Sequence, residues 1–244
     1  MEKKMSSLKN IFIKSLAIIL LILVGYNINS LLQPKISNDE VYTFLENNPE
    51  KIEKFIEKAE LILETNNKQI TNKLINQLRS SLENSEFFIG NPKGKKIVIE
   101  FFDYNCGYCK RIFSDLMDLI SEDDNLKIVL VELPVLGDSS IIASKAALAS
   151  HSQGKYFLMH QKLIAHQGKI DMNVIKSYAS ELELDIDLLI NDINRIDTKP
   201  IEENYIIANK LGINGTPTFL IGNEIIPGAI DKSSFKNLLL TTYN

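Results

Sequence analysis

Two cysteines occur in this chain of 244 residues, and they stand three positions apart, at Cys106 and Cys109. Two cysteines close at most one bridge, so no disulfide framework holds the fold together. The core has to come from apolar packing, and the length allows one good core plus an accessory region. A chain that avoids cysteine elsewhere and keeps one C-x-x-C points to a working dithiol. Its surroundings constrain the local fold. Ile97–Phe102 is an apolar run broken only by Glu100. Short, partly β-branched and preceded by the turn Asn91-Pro92-Lys93-Gly94, it reads as a buried central strand. Ile112, Leu116, Leu119 and Ile120 follow at helical spacing. The cysteines therefore lie at a strand-to-helix junction, at the start of the helix.

That position has a chemical consequence. A helix N-terminus offers free amide hydrogens and the positive end of the dipole. A thiolate there is stabilised, with pKa values for such motifs in the range of ~3.5–7.5. Cys106, nearest the end, is the expected nucleophile. Cys109, one turn further in on the same side, is the expected resolving thiol for a mixed disulfide.

Other chemistries need partners. A closed zinc site takes four ligands, and there is no further cysteine. His151, His160 and His166 lie in one later helical region and show no ligand pairing with the cysteines, so none is assigned a role and no metal site is expected. A cysteine hydrolase needs a positioned histidine base, and a thiol three residues away would trap its nucleophile. The alternative from another class is an exported module holding a soft ion such as Cu(I) on the one dithiol. Net charge is −4 with no concentrated basic face, which argues against nucleic acid as a partner.

The N-terminus carries Lys3, Lys4, Lys9 and Lys14, then no charge from Ser15 to Pro34, with an apolar heart at Leu16–Val24. A basic start before a short apolar run reads as a signal peptide or membrane anchor over residues 1–36. Either places the body outside the cytoplasm, where a dithiol is useful.

Residues 37–85 read as a helical arm. Ser37 and Glu40 suit a capping box, and Asn48-Pro49-Glu50 suits a second helix start. Ile52, Phe55, Ala59 and Ile62 form a stripe, continued by Ile70, Leu74, Leu78 and Leu82 after the polar stretch TNNKQ. Such a stripe either covers its own domain or pairs with copies of itself; homo-oligomerisation through residues 38–84 is the expectation.

Leu126–Leu133 reads as a second strand. Near the C-terminus, Phe219–Ile221 and Ile225-Ile226 flank Gly222-Asn223, a two-residue hairpin signal. Gly215-Thr216-Pro217 stands just before it. A proline opening a strand within a sheet calls for a purpose, and a cis bond beside an active site is one. The roughly eighty residues between have helical pattern. Asp138 starts a helix rich in alanine (Ala143, Ala146, Ala147, Ala149), Gly154 and Gly168 punctuate the next segment, and Asp171 or Asp187, then Asp197, precede others.

The order of strand, CGYC, helix, then GTPTF, hairpin and final helix resembles the thioredoxin superfamily, and more narrowly its DsbA-type branch of disulfide oxidoreductases, over about residues 86–244. The resemblance implies an α/β thioredoxin fold with an inserted helical subdomain at about 138–210 and the N-terminal helical arm. It implies that Thr216-Pro217 is cis, adjoins Cys106 and holds a substrate chain in extended form, and that Glu100 is a proton relay for Cys109. It implies no cofactor. Cysteine-containing exported proteins and a membrane redox partner are the implied partners. Gly107-Tyr108 departs from the Pro-His of DsbA-type oxidases and is similar to the dimeric isomerases, as is threonine before the proline. Isomerase or reductase is therefore the expected direction, with oxidase as the alternative.

Overall fold

The computed structural model describes residues 37–195 and 199–243. The signal or anchor expected at residues 1–36 and the helix signal at Asp197 lie outside the described residues. Among the described residues, no helix is long and apolar enough to cross a membrane.

The chain divides into two compact units, the second running from Asn66 to Asn244. Helix α1 (Asn38–Glu46) opens with the expected capping box, Glu40 amide to Ser37 Oγ and Ser37 amide to the Glu40 carboxylate. Helix α2 (Pro49–Glu83) begins at the expected proline. The Asn48 side chain does not cap it, however; its amide donates to the Phe44 carbonyl of α1 at 2.7 Å. TNNKQ lies within α2 as one continuous helix: it is polar but contains neither proline nor glycine, so nothing breaks the hydrogen-bond ladder.

In the second unit, strands β1 (Phe88–Gly90), β2 (Lys96–Phe102), β3 (Leu126–Glu132), β4 (Thr218–Ile221) and β5 (Glu224–Pro227) form a five-stranded sheet in the order β1-β3-β2-β4-β5. β2 and β3 run parallel, joined by α3 (Gly107–Glu122); β4 runs antiparallel to β2. Between β3 and β4 come α4 (Asp138–Ser150), α5 (Tyr156–Ala165), α6 (Met172–Glu181), α7 (Ile186–Arg195) and α8 (Lys199–Lys210), and α9 (Lys232–Tyr243) closes the chain. Asp171 caps α6 as expected, accepting from the amides of Asn173 and Val174. Asp185, rather than Asp187, accepts from Leu188 at the start of α7.

The sheet carries a core on each face. Val98, Phe102, Ile128, Leu130, Phe219 and Ile221 pack with α3, α9 and the inserted helices. Ile99, Phe101, Val129, Val131 and Leu220 pack with Ile75 and Leu82 of α2 and with Ala208 and Leu211. The two units divide at residue 65, within the arm read over residues 37–85: the C-terminal part of α2 belongs to the sheet's second core, its apolar face sharing that layer with α8. The hairpin turn is as expected. Gly222 takes φ +57°, a left-handed conformation that a side chain disfavours, and a Cβ there would meet Thr242 Cγ2 at 2.5 Å.

Candidate active site

β2 delivers the dithiol. The chain leaves the strand at Phe102, turns through Asp103–Asn105, and enters α3 with Cys106 as the residue just before its first turn. The turn is pinned from below. Asp103 is fully buried; its carboxylate accepts from the amides of Asn105 (2.7 Å) and Leu136 (2.9 Å) and from the Ser140 hydroxyl (2.7 Å). Its carbonyl accepts from the Cys106 amide at 3.0 Å. Cys106 is 6 % exposed and Cys109 1 % exposed, and both thiols are free.

β4 delivers the other half. Antiparallel register sets Thr218 opposite Phe101 and Phe219 opposite Glu100. Thr216 and Pro217, joined by a cis peptide bond, thereby arrive at the end of β2 from which Cys106 emerges. The Cys106 thiol donates to the Thr216 carbonyl at 3.1 Å. The Pro217 carbonyl accepts from the Gly228 amide at 2.8 Å and the Gly215 carbonyl from the Thr218 hydroxyl at 2.7 Å, which fixes the turn on both sides of the cis bond.

The two thiols differ sharply. Cys106 is lowered to about 5, first because the Cys109 thiol hydrogen-bonds it; burial opposes this, and the Thr216 side chain and the amides of Cys109 and Tyr108 add further hydrogen bonds to the thiolate. Cys109 is pushed far above the ordinary thiol range, first by burial, then by its hydrogen bond to Cys106 and by the charge of Glu100. Glu100 does not reach solvent or a sheet edge. It is 4 % exposed, and burial, reinforced by the charge of Cys106, pushes it up to about 8. At neutral pH the site thus presents one thiolate, one thiol and a carboxyl able to hold a proton.

The dipeptide between the cysteines faces outward. A Cβ on Gly107 would meet nothing within 4 Å. Tyr108 is 59 % exposed, with the Arg111 guanidinium 4.7 Å from its ring centre. The structure thus brings together Cys106, Cys109, Gly107, Tyr108, Thr216 and Pro217, with Glu100 beneath them.

Sequence reasoning missed several neighbours. Lys110 donates to the His166 carbonyl; burial lowers the pKa of its ammonium, opposed by the charges of Asp103 and Cys106. Asp103 holds the turn. Behind it lies a buried polar group, Tyr104, Glu132, Ser144, Tyr156 and His160. A carboxylate within the strand read at Leu126–Leu133, like Glu100 within the other strand, was the available signal.

A family model described as "Thioredoxin" matches residues 82–240. Among solved structures, a thioredoxin-like oxidoreductase from Silicibacter pomeroyi is 37 % identical, with 67 % of this chain and 96 % of that one covered and a TM-score of 0.64. The thiol-disulfide exchange protein alpha-DsbA2 from Wolbachia pipientis is 27 % identical over 72 % of this chain and 97 % of that one, with a TM-score of 0.65. Among curated sequences, a Na(+)/H(+) antiporter NhaA 1 from Salinispora arenicola is 31 % identical over 130 residues, 52 % of this chain. The chain spans only 20 % of that protein's length.

Proposed function

We infer that this chain, which belongs to the thioredoxin family in its DsbA-type branch, is a thiol–disulfide oxidoreductase that acts outside the cytoplasm on cysteine-containing exported proteins, running chiefly as an isomerase or reductase. The observation that carries the reading is the asymmetry of the two thiols. Cys106 is held as a thiolate at a helix N-terminus, in reach of Thr216, while Cys109 is buried and protonated behind it. In the proposed reaction the Cys106 thiolate attacks one sulfur of a substrate disulfide. The S–S bond breaks, the other substrate sulfur leaves as a thiolate, and a mixed disulfide forms. Cys109 then passes its proton to Glu100 in the ionised form, a minor but available state at neutral pH for a carboxyl near 8, and attacks Cys106 Sγ. The substrate's second sulfur departs, and the enzyme ends oxidised, with Cys106 joined to Cys109. Thr216-Pro217 would align the substrate chain and Glu100 would move the proton. A membrane redox partner would restore the dithiol.

The direction rests on Gly107-Tyr108 and Thr216, and the location on the basic-then-apolar N-terminus. Reactivation of scrambled ribonuclease together with reduction of insulin is the expected result. Fast oxidation of a reduced peptide with no reactivation would establish the oxidase alternative. Stoichiometric Cu(I) binding with no exchange activity would favour the metal-binding module. Cys109→Ser is expected to accumulate the mixed disulfide on non-reducing gels.

We also propose that the arm pairs with further copies of this chain. Phe55 is 73 % exposed, and Phe44, Leu61, Ile62 and Leu63 are exposed on the same short stretch of chain, more apolar surface than an isolated helix leaves in water. Light scattering on the full chain and on Phe55→Glu/Ile62→Glu tests this: an oligomer reduced to monomer supports it, and a monomer in both refutes it.

A further inference from the structure

The sheet face beneath the dithiol carries a second buried acid. Glu132 sits opposite Phe102 in the β2–β3 register, two residues on from Leu130, the partner of Glu100. Alternation along the strands puts both carboxyls on one face. Glu132 is 2 % exposed, and one oxygen accepts from the hydroxyls of Tyr104 (3.0 Å) and Tyr156 (3.1 Å) while the other accepts from Ser144 (2.7 Å). Tyr104 lies in the turn that presents Cys106, between Asp103 and Asn105, so whatever holds its hydroxyl holds that turn.

The Tyr104 hydroxyl is also 3.0 Å from His160 Nδ1. A phenol has one hydrogen, so it donates to only one of the two. With Glu132 ionised, Tyr104 donates to the carboxylate and accepts from His160 Nδ1–H. With Glu132 protonated, the acid must donate one of its bonds. Tyr104 can take it, because its own hydrogen has His160 Nδ1 to go to. His160 then carries its hydrogen on Nε2, which is buried with no partner. Burial holds His160 down at about 3, so the ring stays neutral and only its tautomer changes. The same burial pushes Glu132 up to about 8 despite its three hydroxyl partners, which places the change in the working range.

We propose that Glu132 is a positioning residue of the disulfide-exchange reaction, setting through Tyr104 and His160 which of two hydrogen-bond arrangements holds the turn that presents Cys106. The proposal rests on the oxidoreductase reading for its meaning, but its geometry does not. The charged and titratable groups facing Glu132 are Asp103 and Tyr104 after β2, Tyr156 and His160 on α5, Glu100 through its influence on Tyr156, and Glu86 and Glu203. The last two line, with Glu132, a cavity of about 310 Å³ at the β3 edge.

The test is the rate at which iodoacetamide alkylates Cys106 in the full chain, located by mass spectrometry, across the pH range above the thiolate plateau. This readout needs no substrate protein, so a failed exchange assay and a failed proposal remain distinguishable. Glu100 titrates in the same range, so the comparison is made in Glu100→Gln. There the rate is expected to step by about threefold as Glu132 ionises, the size of one rearranged hydrogen bond. Adding Glu132→Gln removes the step, and so does adding Tyr104→Phe, which keeps the ring. A flat profile in Glu100→Gln, or a step that survives either addition, overturns the proposal. A purely structural role would lower the melting temperature and leave the step in place.

Discussion

Cys106 Sγ lies 3.1 Å from the carbonyl oxygen of Thr216, a residue 110 positions later in the chain. The contact serves the thiol, which donates to that oxygen, whereas the thiolate is served by the Thr216 side chain. Thr216→Val keeps the shape and the carbonyl but loses the hydroxyl. The thiolate loses a donor and the thiol loses nothing, so the Cys106 value rises from about 5. A hydrogen bond to a charged group sets the rise at about one unit. Thiolate absorbance in the ultraviolet, followed against pH, measures it.

Glu100→Gln should stabilise the fold while slowing resolution. A carboxyl whose folded-state value is raised, here from 4.5 to about 8, favours the fold fully below its unfolded value and loses that contribution as pH climbs to the folded one. The glutamine has no such loss. Its advantage should be negligible near pH 4 and reach about 3 kcal/mol at pH 7, the proton linkage over that interval. Denaturant titrations at the two pH values check the sign. Mixed-disulfide lifetime, expected to lengthen by about tenfold or more for loss of a general base, checks the function.

Gly107→Pro should be tolerated. The position is the first of α3, a Cβ there meets open space, and proline suits the first turn. The amides that support the Cys106 thiolate are those of Tyr108 and Cys109, and proline removes neither. The expected outcome is an unchanged or slightly higher melting temperature and a Cys106 titration still near 5.

Ile75→Ala should unfold the catalytic unit more easily. Ile75 is fully buried in the sheet's second core, and removing a buried isoleucine costs about 2–4 kcal/mol. Chemical denaturation followed by circular dichroism measures it, and the loss should not depend on protein concentration. The corresponding arm residue, Phe55, is exposed, so its replacement should alter assembly and leave that transition in place.

The catalytic frame was legible because its signals are local. β2, β3 and the hairpin announce themselves by apolar runs and by Gly222-Asn223, and α3 by its spacing. β1 was not legible: three residues with no pattern of their own become a strand because β3 offers them an open edge at Lys127–Val129. The division of α2 at residue 65 was not legible for a similar reason. The apolar positions of α2 repeat alike before and after residue 65, and only the tertiary structure decides that Ile75 and Leu82 meet a sheet while Phe55 does not. Glu100 was visible as a charge in an apolar strand. Glu132 was equally anomalous, but its partners come from three separate segments, and no spacing in the sequence links Tyr104 to His160.

Cys106 and Thr216 meet because β2 and β4 are antiparallel neighbours, yet the helices inserted between β3 and β4 reach back to the same turn through Ser140, Tyr156 and His160. The insertion is therefore geared to the sulfur at its inner side and free of it at its outer side. Its far helices can change length without consequence for the dithiol, whereas a shift of α4 or α5 is felt there.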